Sequence, residues 1–468
     1  MIYLIPAVWI AYQRYKPFIG IDSEEALTCK WQAQMVVVTG FVVLQLLTSL
    51  IQLFMKKRKV NGRFNYLYAG VFVVVVALLI IFRNTRSWPV VTAIMFGIFY
   101  YRCWIWEKRN YLMRIFTNGI ILNFIYMVYY CLMHRPYQRF KFNRYGMGFS
   151  TVTMTGYYLA LVLCAIMVRL FMKYYQTRRW QECWKELIFL GIANIYLFLT
   201  LSRTGYLAAF VMEVFVCVFV AILKEEKKIF GILKNGIIII AVTVLFFPIV
   251  FTAQRIVPAV VSDPVYSEFE VWEYSVQKGE RPDSELYIDV IAFFKIAGKK
   301  LLNIDAGNIS LEAMAEPVYV LRDSTMVASG AEGMEEPHDI SSGRLSIFME
   351  YIKHWNLTGH KEMQIVFPDG SVPAHAHNTF LQVIHDHGLI TGIPFIMFGV
   401  LSFFASIWRS CIFKYEKEED YFELLPIAVI LAFAAASMVE WIFHYGNPFG
   451  FAMFIVIIPL LFKKEKTE

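Results

Sequence analysis

Long apolar segments alternate with short polar ones along most of the chain. A helix needs about 20 apolar residues to cross the hydrocarbon core of a bilayer. The segments that approach or exceed this length lie at residues 1–14, 33–55, 65–82, 87–104, 111–133, 150–173, 185–201, 204–223, 234–253, 379–408, 421–443 and 447–462. They predict an all-α polytopic membrane protein with about twelve transmembrane helices.

Composition agrees with this class, and the charge distribution suggests an orientation. Of the 468 residues, 58% are hydrophobic and 17% are charged, and the mean hydropathy of +0.52 is too high for a soluble protein of this length. Basic clusters follow every second apolar segment, at residues 56–59, 107–109, 178–179, 224–234, 409–417 and 463–466. Because positive charge marks the cytoplasmic side of a membrane, we expect both termini to be cytoplasmic.

A long polar segment divides the chain into three parts. Residues 1–253 would form spans 1–9, residues 254–378 a large and mostly helical extracytoplasmic domain, and residues 379–468 spans 10–12 with a short cytoplasmic tail. Within the long segment, residues 255–376 hold 19 acidic but only 10 basic side chains. An arginine in this acidic domain is therefore a candidate for a specific role.

Two arginines are candidates for binding an anion. Arg203 lies where spans 7 and 8 are joined by almost no loop, and an arginine at that depth is costly unless it is paired or faces water. Arg344 follows Gly343 and opens an amphipathic run, so a helix N-terminus would add to its attraction for an anion. The alternatives are an interfacial Arg203 that extends to the headgroups and a solvated Arg344.

A histidine just before span 10 is the candidate general base. His377 and Asn378 end the polar segment, and imidazole takes up a proton near neutral pH. The alternatives are a histidine at the helix cap and a metal site. The potential metal ligands are His375, His377, His385, Asp386 and His387. Metal binding is disfavoured because residues two apart on a helix point to different faces.

A basic loop interrupts the predicted charge pattern. Residues 134–146 fall on the outer face but carry Arg135, Arg139, Lys141 and Arg144. The loop is either tolerated, since only the overall bias sets topology, or it forms an anion-binding patch at the outer leaflet.

Together these residues suggest displacement of a phosphate-type leaving group from a membrane-embedded donor. Arginine binds phosphate oxygens through paired N–H groups, and a base beside it would deprotonate a hydroxyl. The chain has no P-loop and no GxGxxG motif for a soluble nucleotide. A transporter of lipid-linked glycans would fit the span count equally well, although transporters often show two related halves and none is visible here.

Three stretches resemble the O-antigen ligase and polysaccharide polymerase superfamily of bacterial envelopes. They are LTLSRTGYLA at 199–208, SSGRLSIFMEYIKHWNLTGH at 341–360 and HAHNTFLQVIHDHGLITGIPF at 375–395. The chain departs from the family pattern at Thr151-Val152-Thr153, where many members carry an Asn-Pro-Asn-like element, and at Gly359-His360 and Asp386.

The resemblance implies a C-type glycosyltransferase of the cytoplasmic membrane that acts without a metal or other cofactor. It would move a glycan from undecaprenyl pyrophosphate to a hydroxyl of a glycan or lipid acceptor on the outer face, with no nucleic-acid partner. His377 would activate the acceptor, and Arg203 and Arg344 would hold the pyrophosphate. We expect Asn378 and the basic loop to contact substrate. A polysaccharide polymerase, as in capsule synthesis, is preferred over an O-antigen ligase or a protein O-oligosaccharyltransferase.

Overall fold

The computed structural model describes the main helical part of the chain. It covers residues 64–84, 88–104, 111–133, 145–147, 149, 152–261, 344–362, 375–412, 422–444 and 446–462, with scattered positions among 13–54, 290–298 and 365–373. Span 1–14, except for Gln13, and nine residues of span 33–55 therefore lie outside the described residues, and so do residues 134–144 of the basic loop, with Arg135, Arg139, Lys141 and Arg144.

The described residues form α-helices and no β-strand. In chain order the helices are α1 (Tyr66–Ile81), α2 (Trp88–Trp104), α3 (Leu112–Met133), α4 (Val152–Thr177), α5 (Trp184–Thr200), α6 (Arg203–Lys224), α7 (Lys228–Val261), α8 (Arg344–Lys353), α9 (Thr379–His387), α10 (Leu389–Ile412), α11 (Leu424–Ser437), α12 (Pro448–Val456) and α13 (Ile458–Leu461). A 3-10 turn, Trp180–Cys183, precedes α5.

The helices confirm the predicted class of an all-α, multi-pass membrane protein. Six of those described are long and apolar enough to cross a bilayer: Leu112–Met133, Val152–Thr177, Trp180–Thr200, Arg203–Lys224, Lys228–Gln254 and Leu389–Cys411. Four shorter apolar helices, Val42–Ile51, Tyr66–Ile81, Leu424–Ser437 and Pro448–Leu461, accompany them. The total of twelve spans and their orientation stay predictions.

Helix α4 is the centre of the bundle. In its most apolar window 89% of the residues are buried, against 11% for α7. A helix that is apolar on all sides and buried belongs to the interior, so α4 packs among its neighbours α3, α5, α6, α11 and α12 while α7 faces lipid. Because α4 is central, its side chains can contact groups that the ends of the neighbouring helices carry.

A pair of glycines sets the crossing of α4 and α6. A side chain on Gly205 of α6 would place its Cβ 2.7 Å from the Cα of Gly156 in α4. Small residues at such a crossing let two backbones approach closely within a membrane. The approach brings Tyr157 of α4 next to Thr204 at the start of α6.

Span 379–408, predicted as one helix, is divided in two. Helix α9 ends at His387, and Gly388 takes a left-handed φ of 77° before α10 begins at Leu389. The backbone carbonyl of Leu357 occupies the place of a Cβ at Gly388, so glycine alone fits there. Helix α9 buries the polar side chains of Gln382 and Asp386, which explains why it is separate from the span.

Span 421–443 is also shorter than predicted. Helix α11 ends at Ser437, and residues 438–444, 446 and 447 are irregular before α12 begins at Pro448. Asn447 caps α12, since its side-chain oxygen accepts from the N–H of Phe449 at 2.9 Å. The prediction continued the helix through Glu440 to residue 443 because the apolar neighbours of Glu440 kept the average hydropathy high.

The boundary between the first two predicted parts lies inside a helix. Helix α7 runs over 34 residues, Lys228–Val261, so residues 254–261 continue span 9 beyond its predicted end at 253. Helix α8 confirms the helix predicted to begin at Arg344. Most of 262–343, the bulk of the predicted extracytoplasmic domain, lies outside the described residues.

The glycine crossing gives a test of the bundle. Gly205→Ala should lower the free energy of unfolding by about 1–3 kcal/mol, because the added methyl meets backbone that must move. Gly236→Ala in α7 is the matched control, since no atom lies within 4 Å of its added Cβ. It should leave the stability unchanged or raise it by up to about 1 kcal/mol. Thermal unfolding of the detergent-solubilised variants measures both, and equal effects would contradict the close crossing.

Candidate functional site

The irregular segment 438–444, which follows α11, places a carboxylate between α11 and α12. The Glu440 side chain is 12% exposed, and three charged or titratable side chains contact it. Arg344 Nη2 lies 3.3 Å from Oε2, while His377 Nδ1 and His375 Nε2 lie 2.9 and 3.6 Å from Oε1. Two sequence-predicted residues, Arg344 and His377, are thus brought together by a residue that the prediction placed inside a membrane span.

The end of α11 explains why these residues meet. The last carbonyl groups of a helix lack partners within the helix and need other donors when they are buried. Asn378 Nδ2 donates to the carbonyl of Met438 at 2.8 Å, Arg344 Nη1 to Val439 at 2.7 Å, and Thr379 Oγ1 to Glu440 at 2.8 Å. Hydrogen bonds to three consecutive carbonyls therefore hold α8 and the start of α9 against this segment.

Hydrogen bonds hold the Arg344 side chain in place, but they do not use all of its N–H donors. It is the first residue of α8, and its side chain is 31% exposed. A guanidinium has five N–H donors, and bonds to Val439 and Glu440 use two of its nitrogens. The exposed part keeps donors available to an anion.

The segment 375–378 orients His377. The backbone of His377 has a φ of 47°, which is uncommon for a residue other than glycine. Its N–H donates to His375 Nδ1 at 3.1 Å, and the two rings lie 4.2 Å apart. Backbone in this conformation is often found at functional sites, where surrounding contacts enforce it.

The contact with Glu440 determines which nitrogen of His377 is basic. An ionised carboxylate only accepts hydrogen bonds, so Nδ1 carries the proton that it donates to Oε1 at 2.9 Å. The neutral ring then has its lone pair on Nε2. That atom is free to take a proton, and Glu440 would stabilise the imidazolium that forms.

The pKa values favour this protonation state. Burial tends to raise the pKa of Glu440, but the hydrogen bond from His377 and the charges of His377, His375 and Arg344 outweigh it, so the pKa is lowered. Burial, followed by the neighbouring His377, lowers the pKa of His375 to about 4. At neutral pH Glu440 is therefore ionised and His375 is uncharged.

Arg203 is the first residue of α6, and this end of the helix lies beside the cluster. The next residue, Thr204, adjoins the buried Tyr157 of α4, and Tyr157 interacts electrostatically with Glu440 and Arg344. The Arg203 side chain is itself exposed. The structure thus unites Arg344 and His377 directly and brings the helix that starts with Arg203 beside them.

Two other predicted substrate contacts have different outcomes. The Asn378 side chain caps α9, because its oxygen accepts from the N–H groups of Phe380 and Leu381 at 2.9 and 3.0 Å. Its role with substrate stays a prediction. The four basic residues of the loop 134–146 are not described, but Tyr145, near its end, donates its backbone N–H to the carbonyl of Leu199 at 3.0 Å. The described end of the loop therefore lies beside the turn that precedes Arg203.

The histidines considered as metal ligands fall into separate groups. His385 lies 2.9 Å from Asp386 and stacks on His360 at 4.5 Å, and His387 contacts the carbonyl of Phe82 at 2.9 Å. His375, His377 and Glu440 do form a set whose ligand atoms lie within 4.8 Å of one another. Two imidazoles and a carboxylate would suit a transition metal, although Arg344 already occupies one oxygen of that carboxylate.

An apolar cavity of about 280 Å³ adjoins the site. Phe380, just after the His377 segment, and Phe443, just after Glu440, lie on its wall. Val400 and Phe404 of α10 also line it, and they are 51% and 60% exposed. The cavity is therefore lined both by neighbours of the polar cluster and by residues on the apolar surface of the bundle.

Glu440 and His444 are the residues that sequence reasoning missed. Glu440 lies in span 421–443, which was assigned to the membrane, where an ionisable residue is by default a functional candidate. That signal was present at Glu440 in the same form as at Arg203. His444 lies between the predicted spans 421–443 and 447–462, where the sequence carried no such signal.

The two histidines with lowered pKa predict an acid-sensitive fold. Burial lowers the pKa of His444 as well, to about 4. Because the unfolded chain binds protons near 6.5 and the folded chain only near 4, stability is complete above about pH 6.5 and is lost as the pH falls towards 4. The loss should be on the order of 1–3 kcal/mol per histidine.

Thermal unfolding at stepped pH measures this loss. Replacing His375 and His444 together by Asn should flatten the profile between pH 4 and 6.5. The exposed His354, replaced by Asn, is the control and should leave the slope unchanged. A double variant with the same acid slope as the wild type would contradict the assignment.

Comparison with known proteins identifies no relative of this chain. No protein-family model, no curated protein and no solved structure matches it.

Proposed function

We propose that the protein is a membrane glycosyltransferase that moves a glycan from undecaprenyl pyrophosphate to an acceptor hydroxyl. The observation that carries this proposal is the meeting of Arg344 and His377 on Glu440 beside an apolar cavity that reaches lipid-facing residues. An anion-binding arginine, a base and a lipid-accessible cavity are the three parts that such a reaction requires. The resemblance of residues 199–208, 341–360 and 375–395 supports the same class.

The pyrophosphate and the polyprenyl tail of the donor would bind in different surroundings. The pyrophosphate would contact the remaining donors of Arg344 and the nearby Arg203, with the basic loop as a further contact. The polyprenyl tail would enter the apolar cavity past Phe380 and Phe443. With about twelve spans and cytoplasmic termini, both arginines would face the outer side of the cytoplasmic membrane.

The reaction is a displacement at the anomeric carbon. His377 Nε2 would take the proton of the acceptor hydroxyl, and the oxygen would attack the anomeric carbon with inversion. The bond from that carbon to the pyrophosphate oxygen breaks, and the arginines stabilise the negative charge that develops there. The proton resides on His377, whose positive charge is balanced by Glu440.

We prefer a polysaccharide polymerase, with an O-antigen ligase or protein O-oligosaccharyltransferase as alternatives within the class. The three differ in the acceptor, and the acceptor side of the site involves residues outside the described part. A flippase for lipid-linked glycans would need no base, so the His377–Glu440 pair favours transfer over transport.

The base is tested by removing His377. His377→Ala should lower the rate of glycan transfer by about 10²–10⁴-fold, which is the usual contribution of a general base. The assay is extension of a purified lipid-linked repeat unit by the protein in vesicles. His354→Ala removes an exposed histidine of the polar segment and should keep full activity. Full activity of His377→Ala would remove it as the base, and scrambling of the glycan lipid without product would favour a flippase.

The arginines are tested by one substitution that removes the charge and by another that keeps the charge but changes the shape of the donor group. Arg344→Ala and Arg203→Ala should each slow transfer about 10²-fold, since removing one donor to developing charge typically costs about 3 kcal/mol. Arg344→Lys should recover only part of the rate because a lysine cannot donate two parallel bonds. Arg179→Ala, an exposed arginine before α5, is the control and should be neutral. Complete rescue by lysine would contradict a paired contact with phosphate.

A further inference from the structure

A second polar position lies halfway along α6, far from the cluster around Glu440. Glu213 is ten residues after Arg203 and eleven before Lys224, the two ends of the helix. At a rise of 1.5 Å per residue, each end is about 15 Å away. Because α6 is long enough to cross a bilayer, Glu213 lies near the middle of the hydrocarbon core.

The surroundings of Glu213 supply no positive charge. Its Oε1 is buried and accepts no hydrogen bond. Asn194 of α5 donates a hydrogen bond to the carboxyl group, and among the described residues the titratable groups that interact with it are the thiols of Cys164 in α4 and Cys217 in α6. No described lysine, arginine or histidine forms an ion pair with Glu213.

Other acidic residues of the helices are paired, which makes Glu213 the exception among those described near the bundle interior. Glu186 lies 3.6 Å from Arg169, Glu225 lies 2.8 Å from Lys234, and Glu423 lies 2.7 Å from Arg409. An unpaired ionised carboxylate in hydrocarbon costs several kcal/mol or more, so such a group neutralises itself by binding a proton.

Glu213 lines a recess rather than packed protein. The recess has a volume of about 480 Å³ between α5, α6 and α7, and Asn194, Thr243, Phe247 and Phe294 also line it. Asn194 Nδ2 donates to Thr243 Oγ1 at 3.0 Å across it. The volume is typical of a site for a small molecule.

The mouth of the recess faces lipid. Ile240 and Val244 of α7 lie at its edge and are 66% and 67% exposed. These residues belong to the helix whose surface is least buried in the bundle. A molecule would therefore reach Glu213 from the hydrocarbon rather than from water.

We propose that this recess is a lipid-accessible binding site with a protonated Glu213 on its wall. A neutral carboxyl group donates one O–H hydrogen bond, so the site would take a small apolar molecule that carries a hydrogen-bond acceptor. This proposal is independent of glycan transfer, because none of the residues involved belongs to the Glu440 cluster.

A lipid-soluble carbodiimide is a probe of this chemical class. Its two nitrogens accept hydrogen bonds, and its central carbon reacts with a protonated carboxyl group. The carboxyl oxygen adds to that carbon while the acid proton moves to a nitrogen, so nothing is released, and the adduct then rearranges to a stable N-acylurea. Ionised carboxylates paired with arginine or lysine lack the proton for this step.

The experiment treats the purified full-length protein in lipid vesicles with dicyclohexylcarbodiimide at neutral pH and locates adducts by mass spectrometry. We expect an adduct at Glu213 whose yield falls as the pH rises, and its complete loss in Glu213→Gln. Glu186→Gln removes a paired carboxylate and should leave the labelling unchanged. Labelling of Glu186 without labelling of Glu213 would overturn the proposal.

Two further measurements test separately whether Glu213 is protonated and whether the carbodiimide enters through the lipid-facing mouth. The infrared carbonyl band of a protonated carboxylic acid should be present in the wild type and absent from Glu213→Gln. Val244→Trp, at the lipid-facing mouth, should abolish labelling but keep the band. Absence of the band in the wild type would overturn the protonation of Glu213, and unchanged labelling of Val244→Trp would overturn entry through this mouth.

Discussion

The arrangement of the site depends on three backbone carbonyls just beyond the end of α11, which take their hydrogen-bond donors from other elements. Within a membrane protein, irregular backbone is tolerated only where other groups satisfy it. Asn378, Arg344 and Thr379 donate to the carbonyls of residues 438, 439 and 440 in turn. This docking brings α8 and the start of α9 to the same place and delivers the Glu440 carboxylate to Arg344 and His377. Structural support and candidate chemistry are therefore supplied by the same residues.

Glu440 and Glu213, two ionisable residues within predicted spans, show how surroundings decide the state of a carboxyl group. Glu440 is contacted by an arginine and two histidines, and it is ionised because their attraction exceeds the effect of burial. Glu213 has no such partner among the described residues and lies against an apolar recess, and we propose that a proton neutralises it. In this account the first carboxyl group would serve chemistry at one end of the bundle, and the second would serve binding of a neutral molecule in its middle.

The sequence predicted much of the fold but only part of the site. The helical class, the helix beginning at Arg344 and the helix beginning at Thr379 follow from local patterns of apolar residues and a glycine. The breaks at Gly388 and after Ser437 do not, because averaging over a span hides one glycine or one acidic residue among apolar neighbours. The contact of His377 with Glu440 joins residues 63 positions apart. Such a pairing is set by packing of separate helices, for which a local pattern carries no signal.

The most direct test of the account is a double-mutant cycle between His377 and Glu440, measured as the rate of glycan transfer from a purified lipid-linked donor. Residues that act as one unit are strongly non-additive. We predict that Glu440→Gln slows the wild type but has little further effect in a His377→Asn background. The same slowing in both backgrounds, or no transfer by the wild type, would contradict the claim that Glu440 and His377 form one catalytic pair.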